Sequence, residues 1–199
     1  MDTSIYRWFN RLADHTGWAH GFFRNASDVC IIAFALLMVG AALHGRWRGS
    51  AGQVAAAVWT AASVLVALGI GQVVGSIFGR ARPYAVLSNV HVLVDRTTDV
   101  SFPSDHATVA GAVAVGLLLT SRRWGIAGVV VAVLMAFTRL YVGAHYPSDV
   151  IAGLVLGAIV AVLGNMLLVP SLTRLVEWLS STRGGRFAVA HPSATQPLP

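Results

Sequence analysis

From Val150 to Val169 the chain runs for twenty residues with Asn165 as the only polar side chain, and Pro170 follows. A bilayer core of about 30 Å asks for roughly 20 mostly apolar residues in helical form, so this stretch alone argues against a water-facing globule. Trp124–Val142 is alike, with one charge, Arg139, near its end. Val54–Phe78 is longer and milder, carrying Thr60, Ser63, Gln72 and Ser76 among many small residues. Val29–Leu43 and Ala107–Thr120 are shorter and reach spanning length only with flanking residues, so a short buried helix is the competing reading for both. The 199 residues are 56% hydrophobic and 11% charged, against roughly 25% charged in a typical soluble domain. We therefore expect an all-α integral membrane helix bundle with about five transmembrane helices. Gly69, Gly71, Gly75, Gly111 and Gly116 suit close approach of helix backbones. The lone Cys30 cannot close an internal disulfide.

The two ends read differently. Ile5, Trp8, Phe9 and Leu12 recur at i, i+3, i+4, i+7 with Arg7, Asn10 and Arg11 between them, the pattern of an interfacial amphipathic helix over residues 1–20. Leu172, Leu175, Val176 and Leu179 repeat it over 171–179, where Trp178 is an interface anchor. These segments and the spans make one membrane-embedded domain over 1–179, and the Gly-, Ser- and Pro-rich 180–199 reads as a disordered tail. A cleavable signal peptide is not expected, because the apolar run starts too late.

Every basic residue is arginine, and the formal net charge is +6. The arginines are dispersed and no exposed basic domain carries them, which argues against nucleic acid as a partner. Alternating the five spans puts Arg46, Arg48, Arg122, Arg123, Arg174, Arg183 and Arg186 on one side, opposed by Glu177 alone. The other side receives seven arginines and seven aspartates. With the site candidates among the latter set aside, the first side is cytoplasmic, and an odd span count places the termini on opposite sides.

Nearly every residue capable of chemistry falls on the second side. Gly79-Arg80-Ala81-Arg82-Pro83-Tyr84 and Ser101-Phe102-Pro103-Ser104-Asp105-His106 lie between spans two and three. Thr138-Arg139 and Gly143-Ala144-His145-Tyr146-Pro147-Ser148-Asp149 lie between spans four and five. Singly, each has an ordinary structural reading: a snorkelling arginine beside a proline, a helix N-cap at Ser104, a head-group anchor at Arg139, a helix cap at Asp149. Together, on one face, ionisable groups beside apolar spans point to a functional site.

In this order and spacing, Arg82-Pro83, Pro103-Ser104-Asp105-His106, and Thr138-Arg139 with His145 and Asp149 resemble the three-part signature of the type 2 phosphatidic acid phosphatase and vanadium haloperoxidase superfamily. That pattern has a lysine seven residues before the first Arg-Pro, Pro-Ser-Gly-His second, and Ser-Arg followed by His and Asp third. Here Gly75 stands at the lysine position, Asp105 replaces glycine and Thr138 replaces serine. The variant second part, the missing lysine and the small size resemble the bacitracin-resistance branch of bacterial undecaprenyl-diphosphate phosphatases, over roughly residues 1–170.

The resemblance implies that His145 is the nucleophile, forming a phosphohistidine, that Asp149, four residues on, accepts from its ring N–H and so orients it, and that His106 is the general acid and later activates water. The residue chemistry agrees. The planar forks of Arg82 and Arg139 match phosphate oxygens, and Ser104 with the first amides of a helix adds donors for an anion. Arg80, Pro103, Asp105 and Gly143 complete the expected phosphate-binding set, with Arg80 the candidate for the cation missing at Gly75. No metal and no cofactor is expected: Asp95 and Asp99 read as solvated loop residues, and His91 as a loop residue. The branch implies hydrolysis of a polyprenyl (undecaprenyl-type) diphosphate to the monophosphate, recycling the cell-wall lipid carrier, in a multi-pass protein of the bacterial inner membrane with an extracytoplasmic site. Left open are phosphatidic acid, phosphatidylglycerophosphate or another polyprenyl phosphate as substrate, a haloperoxidase, which the spans oppose, and a non-catalytic lipid-phosphate binder or transporter.

Overall fold

The computed structural model describes residues 1–182; of the tail expected over 180–199, Ser180 and Ser181 instead belong to the last helix, and 183–199 lie outside the described residues. The regular structure of the described residues is all helical, with no strand among them: α1 (Asp2–His15), a 3-10 turn, α2 (His20–Trp47), α3 (Ala51–Phe78), α4 (Pro83–Val86), α5 (Asp105–Thr120), α6 (Arg122–Tyr141) and α7 (Pro147–Ser181). Four segments are long and apolar enough to cross a membrane, while α5, at 16 residues, is shorter. Its roughly 24 Å at 1.5 Å per residue falls short of the bilayer core. Even so, α5 takes the chain from one end of the bundle to the other, because α3 arrives at its start and Ser121 alone joins it to α6. The competing reading of a short buried helix is therefore correct in its burial: α5 packs against α2, α3, α6 and α7, and its core residues Ala110, Val113 and Leu117 are fully enclosed. The other short stretch is not short at all. Helix α2 starts at His20, nine residues before the apolar run that marks it.

The lipid-facing surfaces follow from helical periodicity. On α2, Val29, Ile32, Leu36, Val39 and Leu43 are exposed, whereas Ala26, Cys30, Phe34 and Ala41 face inward. On α7, Ile151, Val155, Ile159 and Leu163 are exposed opposite Val150, Gly153, Gly157 and Val160. An apolar side chain of this size gains roughly 1.5–3 kcal/mol on leaving water, so such stripes are stable against lipid and costly against water. The protein is a multi-pass membrane protein.

Both amphipathic ends differ from a simple interfacial anchor. On α1, Ile5 and Trp8 are exposed, but Tyr6, Asn10 and Ala13 form a second, buried face. The Tyr6 hydroxyl donates to the Gly143 carbonyl (3.2 Å), and Asn10 exchanges two hydrogen bonds with the backbone of His91. The 171–179 segment is not a separate helix, since α7 continues through Pro170 to Ser181. Val169 and Leu172 pack with Trp59, Ala67 and Val160, and that contact with α3 carries the helix past the one backbone donor that proline removes.

Helices α5 and α7 meet backbone to backbone. A Cβ on Gly157 would overlap the Thr108 carbonyl oxygen and lie 2.5 Å from the Ala112 amide nitrogen. Overpacking of this kind costs about 1–3 kcal/mol. Gly157→Val should therefore lower the unfolding temperature in detergent by roughly 2–12 °C, while Leu167→Ala on the lipid-facing surface should shift it little; thermal unfolding of the two variants side by side checks this.

Candidate active site

Three segments converge at the head of the bundle around one cavity of about 630 Å³. Of the sequence-derived candidates, Arg82, Pro103, Asp105, His106, Arg139 and His145 line it. The loop that carries His145 sits between α6 and α7, and Gly143 lets the chain turn there with φ +74°. A Cβ on Gly143 would come 2.7 Å from the His91 carbonyl oxygen, so this glycine shapes the loop and does not line the cavity.

The His145 ring is held by the backbone. Its Nδ1 lies 2.9 Å from the Ser101 carbonyl oxygen. A carbonyl oxygen only accepts, so Nδ1 carries the ring hydrogen, and Nε2 then presents a lone pair. The other contact agrees: Nε2 lies 3.2 Å from Nη1 of Arg82, which can only donate. Burial pushes the His145 imidazole well below its ordinary protonation range, and the nearby charges of Arg139 and Arg82 add to this. It is a neutral base whose lone pair meets the guanidinium of Arg82.

Asp149 stands behind this arrangement. Its Oδ2 is 3.9 Å from His145 Nδ1, beyond a hydrogen bond, where the sequence led us to expect direct contact. It accepts instead from the Ser101 hydroxyl (2.6 Å), the Tyr146 amide (2.9 Å) and Arg80 Nη1 (2.7 Å). The carboxylate thus fixes Ser101, whose carbonyl fixes the imidazole. Arg80 does not line the cavity. Its guanidinium bridges Asp149, the Ser148 hydroxyl (2.6 Å) and Asp2 of α1 (2.6 Å), and lies 4.1 Å from the Tyr146 ring centroid. It is a buttress of the nucleophile loop and supplies no free cation. Asp2 in turn accepts from the amide and hydroxyl of Ser148, completing the first turn of α7 from another helix.

The phosphate-binding candidates divide in the same way. Arg82 grips the Asp99 carboxylate through Nε and Nη2 (3.2 and 2.8 Å). Burial works against that carboxylate's charge, but Arg82 and Thr97 hold it below the usual carboxylate range. Arg139 is 7% exposed; its Nη1 donates to the Ser27 hydroxyl (3.0 Å), and among the described residues its buried Nε has no partner. An unpaired buried donor is costly, and here it belongs to a residue that lines the cavity. Ser104 caps α5 by accepting from the Ala107 amide (3.5 Å) and is fully buried, so it orients the helix that carries His106 and does not face the cavity. Asp105 is held by Gln72 (3.2 Å), and His91 pairs with Asp14 on α1 (3.1 Å). Among the described residues no group of three or more His, Cys, Asp or Glu side chains is arranged to hold a metal ion.

Two parts of the site escape sequence reasoning. The Ser101 acceptor is a backbone atom, which no residue pattern reveals. The far wall comes from α2, where Arg24, Asn25, Ser27 and Asp28 line the cavity; the signal was present in the i, i+3, i+4 spacing of 24, 27 and 28, just before the apolar run.

Residues 56–170 match the family model of the PAP2 superfamily. An undecaprenyl-diphosphatase of Sulfolobus acidocaldarius is 41% identical over 97 residues, which are 48% of this chain and 47% of that one; the match thus spans about half the length of that relative. The undecaprenyl-diphosphatase BcrC of Bacillus subtilis is 29% identical over 163 residues, 82% of each chain. Among solved structures, LpxE of Aquifex aeolicus superposes with a TM-score of 0.67 at 20% identity, covering 83% of this chain and 94% of that one, a likeness of fold. With the family pattern matched across more than half of its length, this chain belongs to the PAP2 superfamily.

Proposed function

We propose that the protein is a membrane phosphatase that hydrolyses a polyprenyl diphosphate of the undecaprenyl type to the monophosphate. The observation that carries this reading is the His145 lone pair, in a cavity that also holds three arginines and a second histidine. The family match and the names of the two relatives support the same chemistry. The cavity opens at the head of a membrane bundle, which suits a phosphate on an apolar anchor. Its side is the one opposite Arg46, Arg48, Arg122 and Arg123, so we place it on the extracytoplasmic face of a bacterial inner membrane, where recycling of a cell-wall lipid carrier leaves diphosphate.

In this mechanism Nε2 of His145 attacks the terminal phosphorus in line. The bond to the bridging oxygen breaks, and that oxygen leaves with the lipid monophosphate, taking a proton from His106. Arg82 and Arg139 spread the charge of the transferring group, for which positioning and electrostatic stabilisation supply most of the catalysis. Neutral His106 then takes a proton from water, the oxygen attacks the phosphohistidine, and inorganic phosphate leaves with His145 neutral again. Arg82 first releases the Asp99 carboxylate, held by its Nε and Nη2, and the Nε2 lone pair to which its Nη1 donates. The readings with phosphatidic acid or phosphatidylglycerophosphate keep these steps and change the lipid.

Phosphate release from a purified preparation on a polyprenyl diphosphate, with phosphatidic acid in parallel, tests the proposal. Replacing a nucleophile removes orders of magnitude of rate, so His145→Ala should lose at least about 10³-fold in kcat, and His106→Ala should fall by roughly 10²–10⁴-fold. Retained turnover in His145→Ala, or a preference for phosphatidic acid, would overturn the reading.

The pH dependence of kcat/KM is expected to be bell-shaped. On the acid side activity falls when His145 gains a proton; because burial and two arginines lower its affinity for one, this limb should lie below pH 6.5, the ordinary imidazole value. On the basic side His106 loses the proton it must donate. A rate that already halves near pH 6.5 on descent would contradict the assignment of a neutral, buried His145.

A further inference from the structure

We propose that α2 builds a second phosphate subsite, in which Arg24 binds the phosphate that remains on the lipid and so sets the preference for a diphosphate over a monophosphate. The inference rests on the diphosphate reading above, and it concerns residues that lie outside the 56–170 segment matched by the family model.

The cavity is larger than one phosphate needs. At about 630 Å³ it lies within the range of roughly 300–1,000 Å³ that accommodates drug-sized ligands. One wall is the His145 loop at the head of α7, and α2, which packs on α3, α5 and α6, supplies another. Arg24 and Asp28 stand one turn apart on α2 and both line the cavity, as i, i+4 spacing on one helix face requires. Depth is set at the other end of the helix: Gly40 of α2 lies against the Trp124 ring at the start of α6, immediately beyond the end of α5. Gly125, next to Trp124, packs on Leu118 of α5; His106 lies twelve residues back from Leu118 and Asp28 twelve residues back from Gly40, so Asp28 is near the level of His106, and Arg24 lies about 6 Å further toward the head of the bundle at 1.5 Å per residue.

Arg24 is held for such a role. Its Nε donates to the Leu93 carbonyl (3.1 Å), which anchors the guanidinium at the rim, and among the described residues neither terminal nitrogen has a hydrogen-bond or ion-pair partner. The other cations are in use: Arg80 is tied to Asp2 and Asp149, and Arg82 and Arg139 flank the nucleophile. The transferring phosphoryl group sits with His145, Arg82 and Arg139, His106 meets the bridging oxygen, and the phosphate beyond that oxygen falls toward α2. Four aspartates also line the cavity, Asp28, Asp95, Asp99 and Asp105. Two of them are engaged, by Arg82 and Gln72, and a third guanidinium, beyond Arg82 and Arg139, is what a two-phosphate anion needs against the remainder.

Binding of two hydrolysis-resistant probes tests this without relying on turnover: methylenediphosphonate and inorganic phosphate, each titrated calorimetrically against the full chain in detergent. Wild type should bind the diphosphonate more tightly. Arg24→Ala and the isosteric, uncharged Arg24→Gln should weaken the diphosphonate by about 10-fold or more, as loss of a charged hydrogen bond does. Both should change phosphate binding by less than about 2-fold, which also shows that the pocket is intact, and Arg24→Lys should restore part of the difference. Equal weakening of both probes, or no change in either, would overturn the inference. Failure of wild type to release phosphate from a polyprenyl diphosphate would instead sink the substrate reading, and the binding comparison reads the subsite separately from it.

Discussion

The active site depends on a carboxylate sealed away from water. Asp149 is fully buried, and an ionised carboxylate in that position is tolerable only with its oxygens satisfied. Arg80 from the end of α3, Ser101 from the long loop, and the Tyr146 amide from the start of α7 meet that demand together. Breaking a buried pair by removing one partner costs on the order of 3–5 kcal/mol, so these three segments are bound to one geometry. The nucleophile inherits its orientation from it, through the Ser101 carbonyl. Helix α1 belongs to the same unit: Asp2 grips Arg80 and Ser148 from outside, and an amphipathic helix that reads as a lipid anchor also closes the back of the site.

Electrostatics then assigns the roles. His145 is kept neutral by burial and by two guanidiniums, and Arg139 retains an unpaired donor beside the cavity. Arg82 pairs with Asp99, a carboxylate standing where phosphate oxygens are expected to sit. Catalysis of phosphoryl transfer is mostly preorganised charge, and here the charge is preorganised by packing: small residues on α5 and α7 let two backbones touch, and the short α5 sets His106 below the top of α2.

Much of this was legible in the residues. Periodic apolar stretches marked the helices, and the spacing of Arg82, His106, Arg139 and His145 placed four groups that share one cavity. The pattern was less informative about how they are held. Arg80, Ser104, Gly143 and Asp149 stand in the same segments, yet the structure uses them to brace, cap and bend the chain around the site, a distinction that depends on tertiary contacts and not on residue type. The direct Asp149–His145 bond was expected from a four-residue separation, and a loop carbonyl takes its place. Helix α2 was recognised by its apolar run, which begins after Asp28, so its polar first turns were read as flank. Pro170 was read as a stop, but packing on α3 outweighs a single missing donor.

The central claim is that the Ser101 carbonyl holds the hydrogen on Nδ1 and leaves Nε2 to react. Phosphorylated enzyme, accumulated in His106→Ala with substrate and read by phosphorus–nitrogen coupling in magnetic resonance of nitrogen-15-labelled protein, locates the new bond directly. The account requires the phosphoryl group on Nε2 of His145; a bond at Nδ1, or on any other residue, would contradict it.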